Sequence, residues 1–178
     1  VIPVSSAKIA SSLTTIPSGK KIALVMRSCE IRALIELVKL NQANLDDILL
    51  IGLDCFGRFE NKEFFNFQKQ GLTTESFIQS AQSGQTETNG FEVIDACKMC
   101  PYPVADNVDI RLCLVGSDSG SFGVESISEK GQKALDYLEL AGSELPSKRT
   151  DAIKNLVNKR QEELKLKLEE YQKNNNTI

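Results

Sequence analysis

Histidine is absent from the sequence. Its absence excludes Ser-His and Cys-His nucleophilic catalysis, His₂Cys₂ zinc sites and the histidine ligation of Rieske-type clusters. A metal site in this chain must therefore use other side chains, and the five cysteines are the first candidates.

Long hydrophobic runs and an excess of basic charge are also lacking. No stretch approaches the roughly 18 apolar residues that a membrane-spanning helix needs, and no secretory signal is visible. The net charge of −3 argues against a nucleic-acid-binding surface. We therefore expect a cytoplasmic protein without a transmembrane segment, in a reducing compartment that keeps its cysteines free. Because the chain begins with Val1 rather than Met, we expect a fragment or an incomplete subunit.

The apolar segments alternate between strand-like and helix-like patterns, which is typical of an α/β fold. Residues 21–26 (KIALVM) and 48–53 (ILLIGL) predict strands, and the second run is typical of a parallel strand covered on both faces. Between them, residues 29–42 carry apolar side chains at helical spacing. We expect a βαβ unit in a mostly parallel sheet within a domain of residues 1–145, followed by a C-terminal helical arm at residues 146–178.

The remaining elements follow from the same patterns. We expect helices near residues 74–83, 128–140 and 151–173, and strands at residues 91–96, 109–115 and 124–128, the last at a sheet edge. Arg160 interrupts the apolar stripe of the long final helix, so we expect this helix to pack loosely or to contact a partner. The glycine- and serine-rich loop 116–123 predicts a tight turn, with a phosphate-binding role as the alternative.

Four of the five cysteines fall where one inorganic site could gather them. Cys29 follows the first predicted strand and Cys55 follows the second, so parallel pairing places both at one edge of the sheet. Cys97 and Cys100 form a CxxC motif that needs only to fold over this edge. Four cysteines are the usual protein ligands of a 4Fe-4S cluster. Cys113 lies inside an apolar run and is interpreted as a packed core thiol.

Other interpretations of these cysteines stay open. Cys29 and Cys55 could be ordinary buried thiols, since free cysteine is among the most buried residue types. A Cys₄ zinc site is the competing metal site, although such sites more often pair two CxxC knuckles. A thioredoxin-like redox pair at Cys97 and Cys100 is a further alternative, but Pro101 follows the second cysteine, as it does in ferredoxin-type runs.

Positive charge surrounds the candidate ligands along the sequence. Arg27, Arg32 and Lys98 lie next to or near the cysteines, and we expect them to lie around the cofactor and tune its reduction potential. Cys29 is also expected at the start of a helix. The partial positive charge there lowers a thiol pKa and favours an anionic cluster.

Two motifs in order resemble one known family. The stretch VMRSCEIRALIELVKLNQANLDDILLIGLDCFG resembles the β subunits of coenzyme F-420-reducing hydrogenases and formate dehydrogenases, in their C-terminal half. The resemblance continues through DACKMCPYPVADNVDI and SEKGQKALDYLE, and so covers roughly residues 20–145. The sequence differs where Ser28 precedes Cys29, since the family usually has proline there.

The resemblance implies a 4Fe-4S cluster with Cys29, Cys55, Cys97 and Cys100 as ligands, and gives Cys113 no role. It also implies FAD and electron transfer between a partner's iron–sulfur chain and a soluble carrier, the deazaflavin coenzyme in methanogens. The N-terminal half that helps to build the family's flavin site has no counterpart in these residues. We therefore expect the cluster and leave the flavin open.

The leading expectation is an iron–sulfur electron-transfer subunit of an anaerobic oxidoreductase complex. Its partners would be the redox subunits of a formate dehydrogenase, a hydrogenase or a heterodisulfide-reductase-like assembly. One-electron transfer needs no protein acid or base, which agrees with the absence of histidine. The alternatives are a flavoprotein subunit that transfers hydride to a deazaflavin or nicotinamide, and a zinc-stabilised scaffold without a redox role.

Overall fold

The computed structural model describes residues 5–16, 19–118, 120–138, 142 and 144–175. Within them the chain forms a mixed α/β fold with a mostly parallel sheet and a long C-terminal helix, and these features of the predicted fold are confirmed. The described part contains six strands: β1 (Ile22–Arg27), β2 (Ile48–Leu53), β3 (Glu87–Thr88), β4 (Phe91–Glu92), β5 (Ile110–Cys113) and β6 (Gly123–Ser126).

Seven helices lie in the same described ranges. They are α1 (Ser6–Thr14), α2 (Ser28–Lys39), α3 (Asn61–Lys69), α4 (Thr74–Gln82), α5 (Asp95–Lys98), α6 (Glu129–Asp136) and α7 (Lys148–Asn175). None of these helices is long and apolar enough to cross a membrane.

The main sheet has the strand order β1-β2-β5-β6. Strands β1 and β2 pair in parallel from Ile22 opposite Ile48 to Arg27 opposite Leu53. Strand β5 continues the parallel sheet, and β6 lies at the edge, as expected, where it pairs antiparallel with β5. Because β1 and β2 end at the same level, the segments that follow them leave the sheet side by side.

Two apolar clusters hold the fold together. In the first, α1 and α2 cover β1 and β2, with Met26, Ile31 and Leu34 almost completely buried. The second is an aromatic cluster centred on Phe59, whose ring lies 5.1 Å from that of Phe67 and 5.0 Å from that of Phe77. Burying aromatic rings of this size is among the largest single contributions to core stability. The residues after β2 therefore form a second core.

The strand expected at residues 91–96 is wrong beyond its first two residues. The structure turns at Ile94, whose amide donates to the carbonyl of Arg58 (2.9 Å), and Cys97 N–H then donates back to Ile94 O (2.8 Å). These bonds close the short helix α5, so the first cysteine of the CxxC lies on a helical turn. For the helix expected at residues 128–140, α6 confirms residues 129–136, whereas residues 137–138 form a turn and residues 139–140 lie outside the described ranges.

Helix α7 is tied to the sheet at its first turn. The guanidinium of Arg149 donates to the carboxylate of Asp54, directly after β2, and to the carbonyl of Val115. Farther along α7, Ala152, Ile153 and Leu156 pack against the aromatic cluster. Treating residues 146–178 as a separate arm stays a prediction, but the first half of α7 packs on the same core.

Candidate metal centre

Cys29 and Cys55 lie at the same edge of the sheet. Arg27 and Leu53 face each other at the carboxyl ends of β1 and β2, and each is followed, after one intervening residue, by a cysteine. Cys29 is exposed in the first turn of α2, whereas Cys55 is partly buried. The parallel register thus brings together two thiols that are far apart in the sequence, as expected.

The segment that carries Cys97 and Cys100 lies against the Cys55 loop. The amide of Cys55 donates to the carbonyl of Pro103 at 2.7 Å. At Gly57 a Cβ atom would lie 3.2 Å from the Cβ of Cys97, so only glycine leaves this approach free, and the φ of Gly57 is +117°. The CxxC therefore folds over the sheet edge, close to Cys55.

The four thiols interact with one another electrostatically. Partial desolvation by the surrounding protein raises the pKa of Cys29, Arg27 opposes this, and a negative charge on Cys100 or Cys97 would raise the pKa further. Burial also raises the pKa of Cys55 to about 11, against the effect of the Gly57 amide. The expected depression of the Cys29 pKa is therefore wrong for the metal-free protein, because desolvation outweighs the favourable charges.

The described residues contain no group of three histidine, cysteine, aspartate or glutamate side chains that could hold a metal ion. Tetrahedral zinc with Zn–S bonds of about 2.3 Å needs its sulfurs within about 4 Å of one another. A four-iron cluster is larger than one ion and holds its thiolates farther apart. The thiols are thus not arranged around a single ion, and their assignment as cluster ligands stays a prediction.

Arg27 and Glu30 fix the backbone around Cys29. Glu30 is buried, and its carboxylate accepts hydrogen bonds from the amides of Arg27 and Ser6, each at 2.9 Å, and from the Arg27 guanidinium. These bonds cap the start of α2 and join it to α1. The charge of Arg27 also interacts with Cys55 and Cys29. Sequence analysis singled out Arg27 but missed Glu30, the partner that orients it.

The other two predicted cations have partners of their own. The guanidinium of Arg32 lies 4.2 Å from the ring centroid of Tyr102, which follows the CxxC, so a cation–π contact joins α2 to this segment. Lys98 forms ion pairs with Glu92 (2.8 Å) and Asp95 (3.1 Å). The charge of Lys98 is thus largely offset. A tuning role for these three residues stays a prediction.

Arg160 is a second residue whose place at this site sequence analysis missed. It is 5% exposed, and its guanidinium donates to the backbone carbonyls of Cys100 (3.2 Å) and Cys55 (3.1 Å). In the sequence, Arg160 interrupts the apolar stripe of α7, and this break predicted loose packing or contact with a partner. The structure instead buries this break against the thiol-bearing loops.

The donor set fits an iron–sulfur cluster. All four candidate ligands are thiols, which is the usual set for 4Fe-4S, and a buried guanidinium lies beside them. Cys113 does not belong to the set, because it is completely buried in β5, as expected of a core thiol.

Comparison with known proteins gives the family. Residues 19–145 match the family defined by the C-terminal part of the coenzyme F420 hydrogenase/dehydrogenase beta subunit. The F420-dependent formate dehydrogenase subunit beta of Methanocaldococcus jannaschii is 28% identical over 145 residues, 70% of this chain. The F420-dependent formate dehydrogenase 1 subunit beta of Methanococcus maripaludis is 28% identical over 146 residues, 68% of this chain. The matched part is 38% of the length of each relative. The chain belongs to the coenzyme F420 hydrogenase/dehydrogenase beta-subunit family, as its motifs predicted.

Proposed function

We propose that this chain is the iron–sulfur electron-transfer part of an oxidoreductase complex. The observation that carries the proposal is the convergence of two strand-end thiols and a CxxC on one sheet edge, beside a buried cation. A 4Fe-4S cluster held there would accept and release one electron at a time.

Cys29, Cys55, Cys97 and Cys100 are the proposed ligands. The pKa of Cys29 is raised, and that of Cys55 is raised to about 11, so both thiols are protonated near neutral pH in the metal-free protein. Ligation requires thiolates, so cluster assembly must release protons. Arg27 supplies positive charge toward two of these thiols, which favours their ionised form.

The names of the relatives, which are beta subunits of F420-dependent formate dehydrogenases, support a place for this chain in a redox complex. We propose that the chain works in the cytoplasm, in an anaerobic complex. There it relays electrons between the redox chain of another subunit and a flavin or a soluble deazaflavin.

A second candidate function, binding of a flavin nucleotide, is favoured by an open cavity of about 510 Å³ between α4 and α7. Lys148, Lys159 and Asp151 line it, so two ammonium groups and one carboxylate are available to a polar ligand. A neighbouring cavity of about 200 Å³ shares Lys159 and reaches Cys97 and Arg160. Both volumes together lie in the range of small-molecule sites. A nucleotide that occupied both cavities would lie beside α7 and reach the side chain of Cys97.

Metal and flavin analysis under anaerobic conditions tests both candidates. Reconstituted protein should contain about four irons per chain and absorb broadly in the visible range. Zinc-loaded protein that takes up no iron would contradict the electron-transfer function and favour the scaffold alternative. A flavin released by denaturation would support the second candidate, and a Lys159→Gln variant should then retain less of it.

A further inference from the structure

Helix α7 contributes Arg160 to the thiol site from outside the family-matched residues 19–145. Its guanidinium lies between two loops that are otherwise distant in the sequence. One N–H donates to Cys100 O, 60 residues away, and another donates to Cys55 O, 105 residues away. A single side chain thus bridges the backbones of two proposed ligands.

Among the described residues, Arg160 donates to two backbone carbonyls and forms no ion pair with a carboxylate. The side chain is almost completely buried, and burial lowers its pKa. The ionisable groups whose negative charge would raise its pKa are the thiols of Cys55, Cys100 and Cys97 rather than carboxylates. Buried charges are normally paired, because an unpaired one is costly to desolvate. Thiolates carrying a cluster would supply the missing negative charge.

We propose that Arg160 is a positioning residue for the cluster: its two hydrogen bonds hold the Cys55 and Cys100 loops at ligating separation, and its charge stabilises the anionic bound state. The inference rests on the proposed electron-transfer function.

Two separate effects follow from this arrangement. The hydrogen bonds act before assembly, since they add to the Cys55 N–H···Pro103 O bond and fix the spacing of the two loops from the α7 side. The charge acts after assembly and favours the reduced cluster, which carries one more negative charge, over the oxidised one. Net charge and hydrogen bonding near the sulfurs are established determinants of cluster potential. Loss of Arg160 should therefore weaken iron retention and make the reduction potential more negative.

The test compares Arg160→Gln and Arg160→Lys with Lys165→Gln, which removes one exposed charge from the same helix. Each protein is reconstituted anaerobically, and iron content, the rate of iron loss to a chelator and the midpoint potential are measured. Urea unfolding of each metal-free protein is measured alongside. Iron loss from Arg160→Gln should be about 10- to 100-fold faster, as for other residues that orient metal ligands. Its potential should lie below that of the parent protein.

Arg160→Lys keeps the charge but not the planar fork. It should lose iron faster than the parent protein but have a midpoint potential close to that of the parent. If Arg160→Gln does not fold, the iron loss and potential of Arg160→Lys test the inference. Equal potentials and equal iron retention in the parent protein and in both variants would overturn the inference alone. A lower free energy of unfolding without a change in midpoint potential would show that Arg160 has only a structural role, and would also overturn the inference. A parent protein that binds no iron would overturn the proposed function and this inference together.

Discussion

Arg149 and Asp54 form a buried ion pair across 95 residues of sequence. One guanidinium nitrogen lies 2.5 Å from Asp54 Oδ2 and the other lies 3.3 Å from Oδ1. Asp54 Oδ2 also accepts hydrogen bonds from the backbone amides of Leu114 (2.9 Å) and Val115 (3.0 Å). The pair joins the start of α7 to the loop that carries Cys55. Anything that loosens it should loosen the thiol site as well.

Breaking this pair should be costly. We expect Arg149→Met or Asp54→Asn alone to lower the free energy of unfolding by about 3–5 kcal/mol, because each leaves a buried polar or charged group without its partner. The double variant should lose clearly less than the sum of the two single losses. Urea unfolding of the four proteins near neutral pH measures this coupling. Strictly additive losses would show that the two residues act independently.

Cysteine replacement should separate ligands from the core thiol. Cys29→Ser, Cys55→Ser, Cys97→Ser and Cys100→Ser should each reduce iron per chain well below four after anaerobic reconstitution, because each removes one thiolate. Cys113→Ala is the matched control. It should lower stability through a small cavity but retain the iron, since Cys113 is buried within β5. A loss of iron in Cys113→Ala as large as in the four serine variants would contradict the assignment.

The sheet could be predicted because its strands are short, apolar and typical of parallel packing. The sequence does not reveal α1 in the same way. This helix buries Ala7, Ala10 and Thr14 against its neighbours, and such small side chains give no strong apolar stripe. Helix α3 was missed because its Phe64, Phe65 and Phe67 are as typical of strands as of helices.

For the site, the sequence located the thiols but not the residue that bridges them. Cys29 and Cys55 follow strands, so the geometry of a parallel sheet was enough to bring them together. Arg160 contacts its partners only because α7 folds back over the aromatic cluster. No local pattern encodes a contact between α7 and a loop 105 residues earlier.

Gly131 explains an apparent conflict within α6. Glycine is a poor helix former, yet it lies in the first turn, where a Cβ atom would be 1.9 Å from the carbonyl oxygen of Asp109. We expect Gly131→Ala to destabilise the protein by about 1–3 kcal/mol, because overpacking against backbone exceeds the gain in helix propensity. Lys133→Ala, on the exposed side of α6, should change stability by less than about 0.5 kcal/mol. Thermal unfolding of both variants gives the comparison, and a stabilised Gly131→Ala would show that α6 can move away.

Asp109 links α6 to the sheet in a pH-dependent way. Its carboxylate accepts hydrogen bonds from the Leu50 amide (2.9 Å) and the Ser128 hydroxyl (2.6 Å), and it pairs with Lys130 (2.9 Å). Burial raises the pKa of Asp109, but these three partners outweigh it and hold the pKa below its usual value of 3.8. Asp109→Asn should lower the free energy of unfolding by about 1–3 kcal/mol near neutral pH.

The pH dependence has a definite sign. A carboxyl group whose pKa is lower in the folded state contributes stability that is fully present well above pH 3.8 and is lost as the pH falls through the folded value. The stability difference between the parent protein and Asp109→Asn should therefore shrink below about pH 4. Asp106→Asn is the matched control, since Asp106 is exposed and only weakly paired with Arg111. Its effect should be small at every pH. A constant deficit for Asp109→Asn in urea unfolding from pH 7 down to about pH 2 would mean that the Asp109 interactions do not depend on its charge.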